Sequence, residues 1–275
     1  MRRADEFTGF FAEFYDILHA GLPDVDAYVG FARQYGPTVL ELGCGTGRIL
    51  VPLARAGFKV TGVDRSDDML DLCGRKLASE NGEVRSRAKL VKADIRGLEL
   101  DGRFDLVIAP CNLMCCFVES GDAMKVLRAA RKHLKDSGVF ILDNSIPDVP
   151  FMVKTNRVPR TFDFTHPLTG TTIRDTLTAN YDFVAQVEVD DIRLEEWDGD
   201  VLLRAEETTE TLAFYFPREM RTMLSAAGLR VFREQGSLVE NIPIDAAAGE
   251  MVFFCVASHP QAAGYPVGSA RSQGF

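Results

Sequence analysis

Hydrophobic and polar positions follow two rhythms along this chain, and the change from one to the other divides it. Through the first half, short apolar runs have the length and content of buried strands: Pro37-Thr38-Val39-Leu40, Phe58 to Val63, Ala88 to Ala93 and Phe104 to Ala109. The first run passes through glycines into Ile49 to Arg55, which reads as a helix. Ahead of it, Phe7, Phe10, Phe11, Phe14 and Leu18 recur at helical spacing and give one strongly apolar stripe. A second helix is expected from Asp24 or Asp26 to Gln34, opened by Pro23 and acidic residues and closed by Gly36-Pro37. Gly121 to Leu134 carries Met124, Val126, Leu127 and Ala130 on a helical face, and a turn at Lys135 to Gly138 leads into a fifth strand, Val139 to Leu142.

From about Asn156 to Phe216 the period becomes two. Thr171 to Leu177, Gln186 to Leu194 and Val201 to Phe216 alternate, and Pro167-Leu168-Thr169-Gly170 and Asp198-Gly199-Asp200 supply turns. This predicts an antiparallel insertion of three or four strands. Pro217 then starts a helix with Met220, Met223, Leu224 and Ala227, and Gly228 stops it. Leu229 to Phe232 and Met251 to Ala257 supply two last strands. The expected organisation is a core with N-terminal helices over 1–155, the insertion over 156–216, the end of the core over 217–258 and a loose tail over 259–275.

Candidate chemistry lies at the strand ends. Glu41-Leu42-Gly43-Cys44-Gly45-Thr46-Gly47-Arg48 is a glycine turn between strand and helix, spaced G-x-G-x-G and so unlike the dinucleotide fingerprint. Such a turn admits a ligand closer than any Cβ would permit, near a helix N-terminus. The second strand ends in Asp64, about twenty residues beyond the first glycine, where a doubly wound sheet holds ribose hydroxyls. The third ends in Asp94-Ile95, suited to one polar and one apolar contact with an adenine ring, and the fourth runs into Pro110-Cys111-Asn112.

These four strand ends, in this order, resemble the class I S-adenosylmethionine-dependent methyltransferases. The resemblance implies an α/β fold: a Rossmann-like doubly wound seven-stranded sheet, an N-terminal helical lid and an inserted antiparallel β-sheet over the active site. It implies that Gly43, Cys44, Gly45 and Gly47 hold the methionine part of S-adenosyl-L-methionine, Asp64 and Arg65 the ribose, and Asp94, Ile95 and Met69 the adenine. Glu41 matches the acidic residue that opens the family's first motif, and Pro110 and Cys111 join the floor under the cofactor. S-adenosyl-L-homocysteine is the product.

Tyr15-Asp16 and Tyr28 resemble the lid of small-molecule methyltransferases, in which a Tyr reaches the cofactor or the reacting centre. Tyr15 and Asn112 are therefore the catalytic candidates, and Tyr28, Asn112, Cys116, Asn144, Arg174 and Tyr215 the substrate-binding ones. Close relatives often carry a His where Cys116 stands, and His19 and His166 are formal substitutes as a base. The insertion resembles that of the group that includes amino-sugar and glycine N-methyltransferases, and the resemblance implies nitrogen first and oxygen second as acceptor, methylated by in-line displacement.

Charge narrows the partners. Among 275 residues, 31 cationic and 40 acidic side chains leave a net charge of −9, which argues against a polyanionic substrate. Arg85-Ser86-Arg87 reads as an exposed strand start, and Arg128, Arg131, Lys132 and Lys135 as the solvated face of a helix. Nucleic acid and membrane are thus not expected as partners. A small-molecule substrate is, and the insertion can also mediate a homodimer. Glu13 and Asp16 interrupt the apolar N-terminal stretch, so neither a signal peptide nor a membrane span is expected. Six cysteines without metal-type spacing fit reduced thiols in the cytoplasm. The alternatives are a non-catalytic S-adenosylmethionine-binding protein and a protein or RNA methyltransferase.

Overall fold

The computed structural model describes residues 8–245 and 247–258; Phe7 of the aromatic stripe and the expected tail at 259–275 lie outside the described residues. Two helices, α1 (Gly9–Leu18) and α2 (Asp24–Tyr35), precede strand β1 (Thr38–Leu42). Then follow α3 (Leu50–Arg55), β2 (Lys59–Asp64), α4 (Asp67–Ala78), α5 (Gly82–Arg87), β3 (Ala88–Lys92) and β4 (Phe104–Ala109). Next come α6 (Ser120–Lys132), β5 (Leu134–Ser145) and α7 (Val149–Thr155). The antiparallel part is β6 (Arg160–Thr165), β7 (Thr172–Asp182), β8 (Val187–Asp198) and β9 (Val201–Ala213). The chain closes with α8 (Pro217–Ala226), β10 (Leu229–Gln235) and β11 (Glu250–Ala257).

Seven strands form one sheet in the order β10-β11-β5-β4-β1-β2-β3, in which β11 runs antiparallel to both neighbours and the pairs from β5 to β3 are parallel. Sequence order reverses between β1 and β4, so their carboxyl ends open a crevice there. Strand alternation divides the core in two. Leu40 and Leu42 join Val107 and Ala109 under α6 and α8, whereas Val39 joins Leu106 and Ile108 under α2 and α3. The other four strands, β6-β7-β8-β9, form a separate antiparallel sheet. Its Ile173 and Leu194 pack on Phe10, Phe11 and Phe14 of α1.

Local chemistry explains several boundaries. Ser66 caps α4 by accepting from the Met69 N–H at 3.3 Å, and Asp67, Asp68, Arg75 and Lys76 complement the helix dipole. Asn81 caps α5 through the Val84 N–H at 3.0 Å. Arg85-Ser86-Arg87 is consequently helical, against the expected strand start. Lys135 to Gly138, expected as a turn, belongs to β5 as a bulge: pairing jumps from Phe104↔Leu134 to Leu106↔Val139. Helix α7 was not evident in the sequence; Asp148 caps it through the Phe151 N–H at 3.0 Å.

Candidate active site

A cavity of about 480 Å³ opens between the carboxyl ends of the parallel strands and the inner face of the antiparallel sheet. Helix α1 forms one wall with Phe11, Tyr15, Leu18 and His19. The floor is Gly43, Gly45, Asp64 and the segment from Pro110 to Phe117, and the far wall is Phe164, Asp175, Ile192, Glu210 and Leu212.

The floor is shaped by backbone that most residues avoid. Gly43 and Gly45 have φ of +68° and +50°. A Cβ on Gly43 would strike Leu113 at 2.6 Å, whereas one on Gly45 would approach only the Met69 sulfur, at 3.9 Å. Gly45 thus leaves its side-chain space to the cavity. Its N–H donates to Asp64 Oδ2 at 2.8 Å, and the Ser66 N–H donates to Oδ1 at 2.9 Å. Each carboxylate oxygen keeps a lone pair for a hydroxyl. Burial raises the Asp64 carboxyl above its ordinary value, the backbone donors opposing it. Met69 and Ile95 supply apolar lining beside Asp94, which Arg96 holds down to about 2. A glycine cradle, a diol acceptor and an apolar slot edged by a carboxylate fit a nucleoside with an extended amino-acid arm.

After β4, Cys111 and Asn112 both take left-handed backbone at φ 58°, which costs non-glycine residues energy and needs support. Asp143 supplies it. The Cys111 and Asn112 N–H groups donate to its two oxygens at 3.1 and 3.3 Å, and the Tyr28 hydroxyl donates to Oδ1 through a short hydrogen bond. Burial pushes the Asp143 carboxyl up to about 6 despite these donors. Asn112 Oδ1 is occupied by the Ser145 N–H at 2.5 Å, so Asn112 meets the cavity as an amide donor.

The Tyr15-Asp16 pair divides its work. Tyr15 faces the cavity, donates to Cys111 Sγ at 3.7 Å and stacks on His19 at 4.1 Å between ring centres. Burial and Cys111 raise its phenol far above the ordinary tyrosine range, so it stays a donor. Asp16 faces the glycine turn, accepting from Thr46 Oγ1 at 2.5 Å and pairing with Lys76. Arg48 grips Asp24 with two bonds of 2.7 and 2.6 Å and so ties the turn to α2. Burial lowers the His19 imidazole below its ordinary value.

Of the residues singled out in the sequence, Tyr15, Gly43, Gly45, Asp64, Arg65, Met69, Asp94, Ile95, Pro110, Cys111, Asn112 and Cys116 line this one cavity. Seven do not. Glu41 is 2% exposed on the face under α2 and α3, with Oε2 unpaired. Cys44 turns its side chain under Gly62, and Gly47 makes room for Cys73, whose sulfur a Cβ would meet at 2.4 Å. Tyr28, expected in the acceptor pocket, is fully buried and bound to Asp143. Asn144 is buried and donates to Cys115 Sγ at 3.1 Å. Tyr215 donates to the Phe117 carbonyl at 2.6 Å and holds the floor from beneath. Arg174 lies on the opposite face of β7 from Asp175, paired with Asp163 at 2.8 Å.

Of the two histidines considered as bases, His19 is in the cavity, and His166 instead accepts from the Leu168 and Thr169 N–H groups of a turn. Sequence reasoning missed Asp175 and Glu210. Asp175 stands between Ile173 and Leu177 on an inward-facing row of β7, and that polar interruption was the available signal. All six cysteines are free thiols. Among the described residues no helix is long and apolar enough to cross a membrane.

Residues 39–138 match the family described as "Methyltransferase domain". YqeM of Bacillus subtilis, which carries a provisional methyltransferase name, is 25% identical over 89% of this chain and 94% of its own length. Two further curated relatives, at 33% and 30% identity, are spanned over only 54% and 55% of their length. The CcbJ methyltransferase of Streptomyces caelestis superposes with a TM-score of 0.76 at 23% identity, covering 94% of this chain and 98% of that one. The sugar N-methyltransferase KedS8 of Streptoalloteichus gives 0.69 at 18% identity, with 92% and 96% covered. These likenesses agree with the fold described above, including the seven-stranded sheet.

Proposed function

This chain carries a methyltransferase domain on the class I, S-adenosylmethionine-dependent fold, and from that premise we propose that it methylates an amine on a small molecule, with hydroxyl acceptors second. The reading is carried by the cavity, which runs without a break from the glycine cradle to the antiparallel sheet and so has a cofactor half and an acceptor half. The N-methyltransferase name of KedS8, a neighbour in fold, supports nitrogen over oxygen. A net charge of −9 and a cavity of only about 480 Å³ disfavour a nucleic-acid acceptor.

S-adenosylmethionine supplies an electrophilic methyl group on a sulfonium centre. Gly43 and Gly45 would cradle its methionine part, Asp64 its ribose hydroxyls, and Met69, Asp94 and Ile95 its adenine. Asn112 would direct an amide donor and Tyr15 a ring and a hydroxyl oxygen into the cavity and so orient the acceptor, with α1 excluding water from it. His19, the cavity histidine whose imidazole burial keeps neutral, is placed to hold a proton released by the acceptor. The strands between residues 156 and 216 act as the cover of the acceptor half.

The test is transfer of isotopically labelled methyl from S-adenosylmethionine to a panel of amines, phenols and sugar nucleotides. Label on amine nitrogen is the expected result. Label on hydroxyls alone would replace the nitrogen assignment, and cofactor binding with no acceptor labelled would favour a non-catalytic binding protein.

A further inference from the structure

The inner face of the antiparallel sheet is acidic where it meets the cavity. Asp175 on β7 and Glu210 on β9 line it, and Asp190 on β8 pairs directly with Glu210 in the same row. Three other acids of this sheet are matched to arginines: Glu195 to Arg193, Glu196 to Arg204 and Asp163 to Arg174, each at 2.8 Å. Among the described residues no arginine or lysine bonds Asp175, Asp190 or Glu210.

A second observation is independent of charge. Asp190 is only 5% exposed, and its Oδ1 has no hydrogen-bond partner. Asp175 Oδ1 is likewise buried and unpartnered, and so is the Arg160 Nε–H, a donor that a cationic ligand does not satisfy. Buried polar atoms are almost always satisfied, so two orphan acceptors, Asp175 Oδ1 in the cavity wall and Asp190 Oδ1 beside Glu210, indicate donors that arrive with a ligand.

We infer that this face is the ammonium-recognising wall of the acceptor pocket: Glu210 and Asp175 bind a protonated amine of the substrate, backed by Asp190. The inference rests on the methyltransferase reading and adds the charge of the acceptor to it. A cation here relieves the repulsion among neighbouring carboxylates and supplies the missing donors. Burial and Glu188 push the Glu210 carboxyl up to about 7. The groups facing it are Glu188 and Asp190 on β8 and Cys115 from the cavity floor, with Arg160 on β6 acting on Asp175 and Asp190. Near neutral pH the wall is therefore poised to ionise when a cation enters.

The experiment uses the full chain saturated with S-adenosylhomocysteine and compares thermal unfolding with matched probes at millimolar concentration and pH 8. The probes are D-glucosamine against D-glucose, tyramine against 4-hydroxyphenethyl alcohol, and 1,4-diaminobutane against 1,4-butanediol. At least one amine should stabilise the protein by about 2 °C more than its neutral partner. Glu210→Gln should erase that difference and Asp190→Asn reduce it, while Asp163→Asn on the outer face leaves it intact. Without amine, Glu210→Gln should unfold no lower than the wild type, since it removes a like charge.

The inference falls if no amine outperforms its partner on the wild type, or if Glu210→Gln keeps the difference. For any amine that the wild type methylates, Glu210→Gln should raise KM about tenfold or more with a smaller change in kcat. An unchanged KM would overturn the wall and leave N-methylation standing. Label on hydroxyls alone, with the amine shift still dependent on Glu210, would overturn N-methylation and leave the wall standing.

Discussion

Gly45 and Gly47 occupy similar backbone, with φ of +50° and +77°, yet substitutions at the two should fail differently. At Gly45 the added side chain enters the cavity, so Gly45→Val should abolish binding of S-adenosylhomocysteine in calorimetry; unchanged affinity would displace the cofactor from this turn. At Gly47 it enters the α4 packing against Cys73, so Gly47→Ala should chiefly lower stability, by about 1–3 kcal/mol in denaturant unfolding. Asp64→Ala should weaken cofactor binding by about 1–3 kcal/mol, the scale for losing bonds to a buried carboxylate. Tyr28→Phe removes a donor from buried Asp143 and should cost about 1–3 kcal/mol of stability and loosen the Cys111-Asn112 turn. At this scale the residues that line the cavity floor were legible, because glycines and acids at strand ends are local signals. Tyr28 and Tyr215 were misread because their hydroxyl partners, Asp143 and Phe117, lie 115 and 98 residues away.

Helix α1 is the element on which the site depends. One edge bonds the core through Asp16, and the Gly9 N–H donates to Asp68 at 2.6 Å. The other packs Phe10, Phe11 and Phe14 on the antiparallel sheet, where Arg204 lies 4.2 Å from the Phe10 ring centre and bonds Glu13 at 2.9 and 2.8 Å. Removal of residues 1 to 20 should therefore abolish turnover while weakening cofactor binding much less, as single-turnover and binding measurements on the same sample would establish. Equal losses in both would make α1 part of the cofactor site. The aromatic stripe predicted this helix correctly, since amphipathic spacing needs no distant partner. The β5 bulge was hidden because only the pairing with Phe104 and Leu106 turns an apparent loop into strand.

In the whole molecule, buried Asp143 and Asp190 and half-buried Glu210 are raised in the folded state and give stability a common pH slope: Asp143 to about 6, Glu210 to about 7 and Asp190 to about 8. Each binds its proton more tightly folded than unfolded, so its stabilisation is complete below about pH 4 and is lost as pH rises through the folded value. The unfolding temperature should fall between about pH 5 and 8, and Glu210→Gln should lessen the fall over about pH 4.5 to 7. A flat profile would mean that these carboxyls titrate normally. Two-sheet architecture was visible in the change of period, but which rows of the second sheet face the cavity was not, because that depends on how the sheet docks on α1. Helix α1 is fastened to the core by ionic and hydroxyl contacts around Asp16, and to the sheet by aromatic rings and the Glu13–Arg204 ion pair. Each fastening thus contains one partly exposed ion pair, which dissolved salt weakens. Release of S-adenosylhomocysteine past α1 should therefore quicken as ionic strength rises, which stopped-flow mixing would measure; a rate independent of salt would leave α1 out of the exit route.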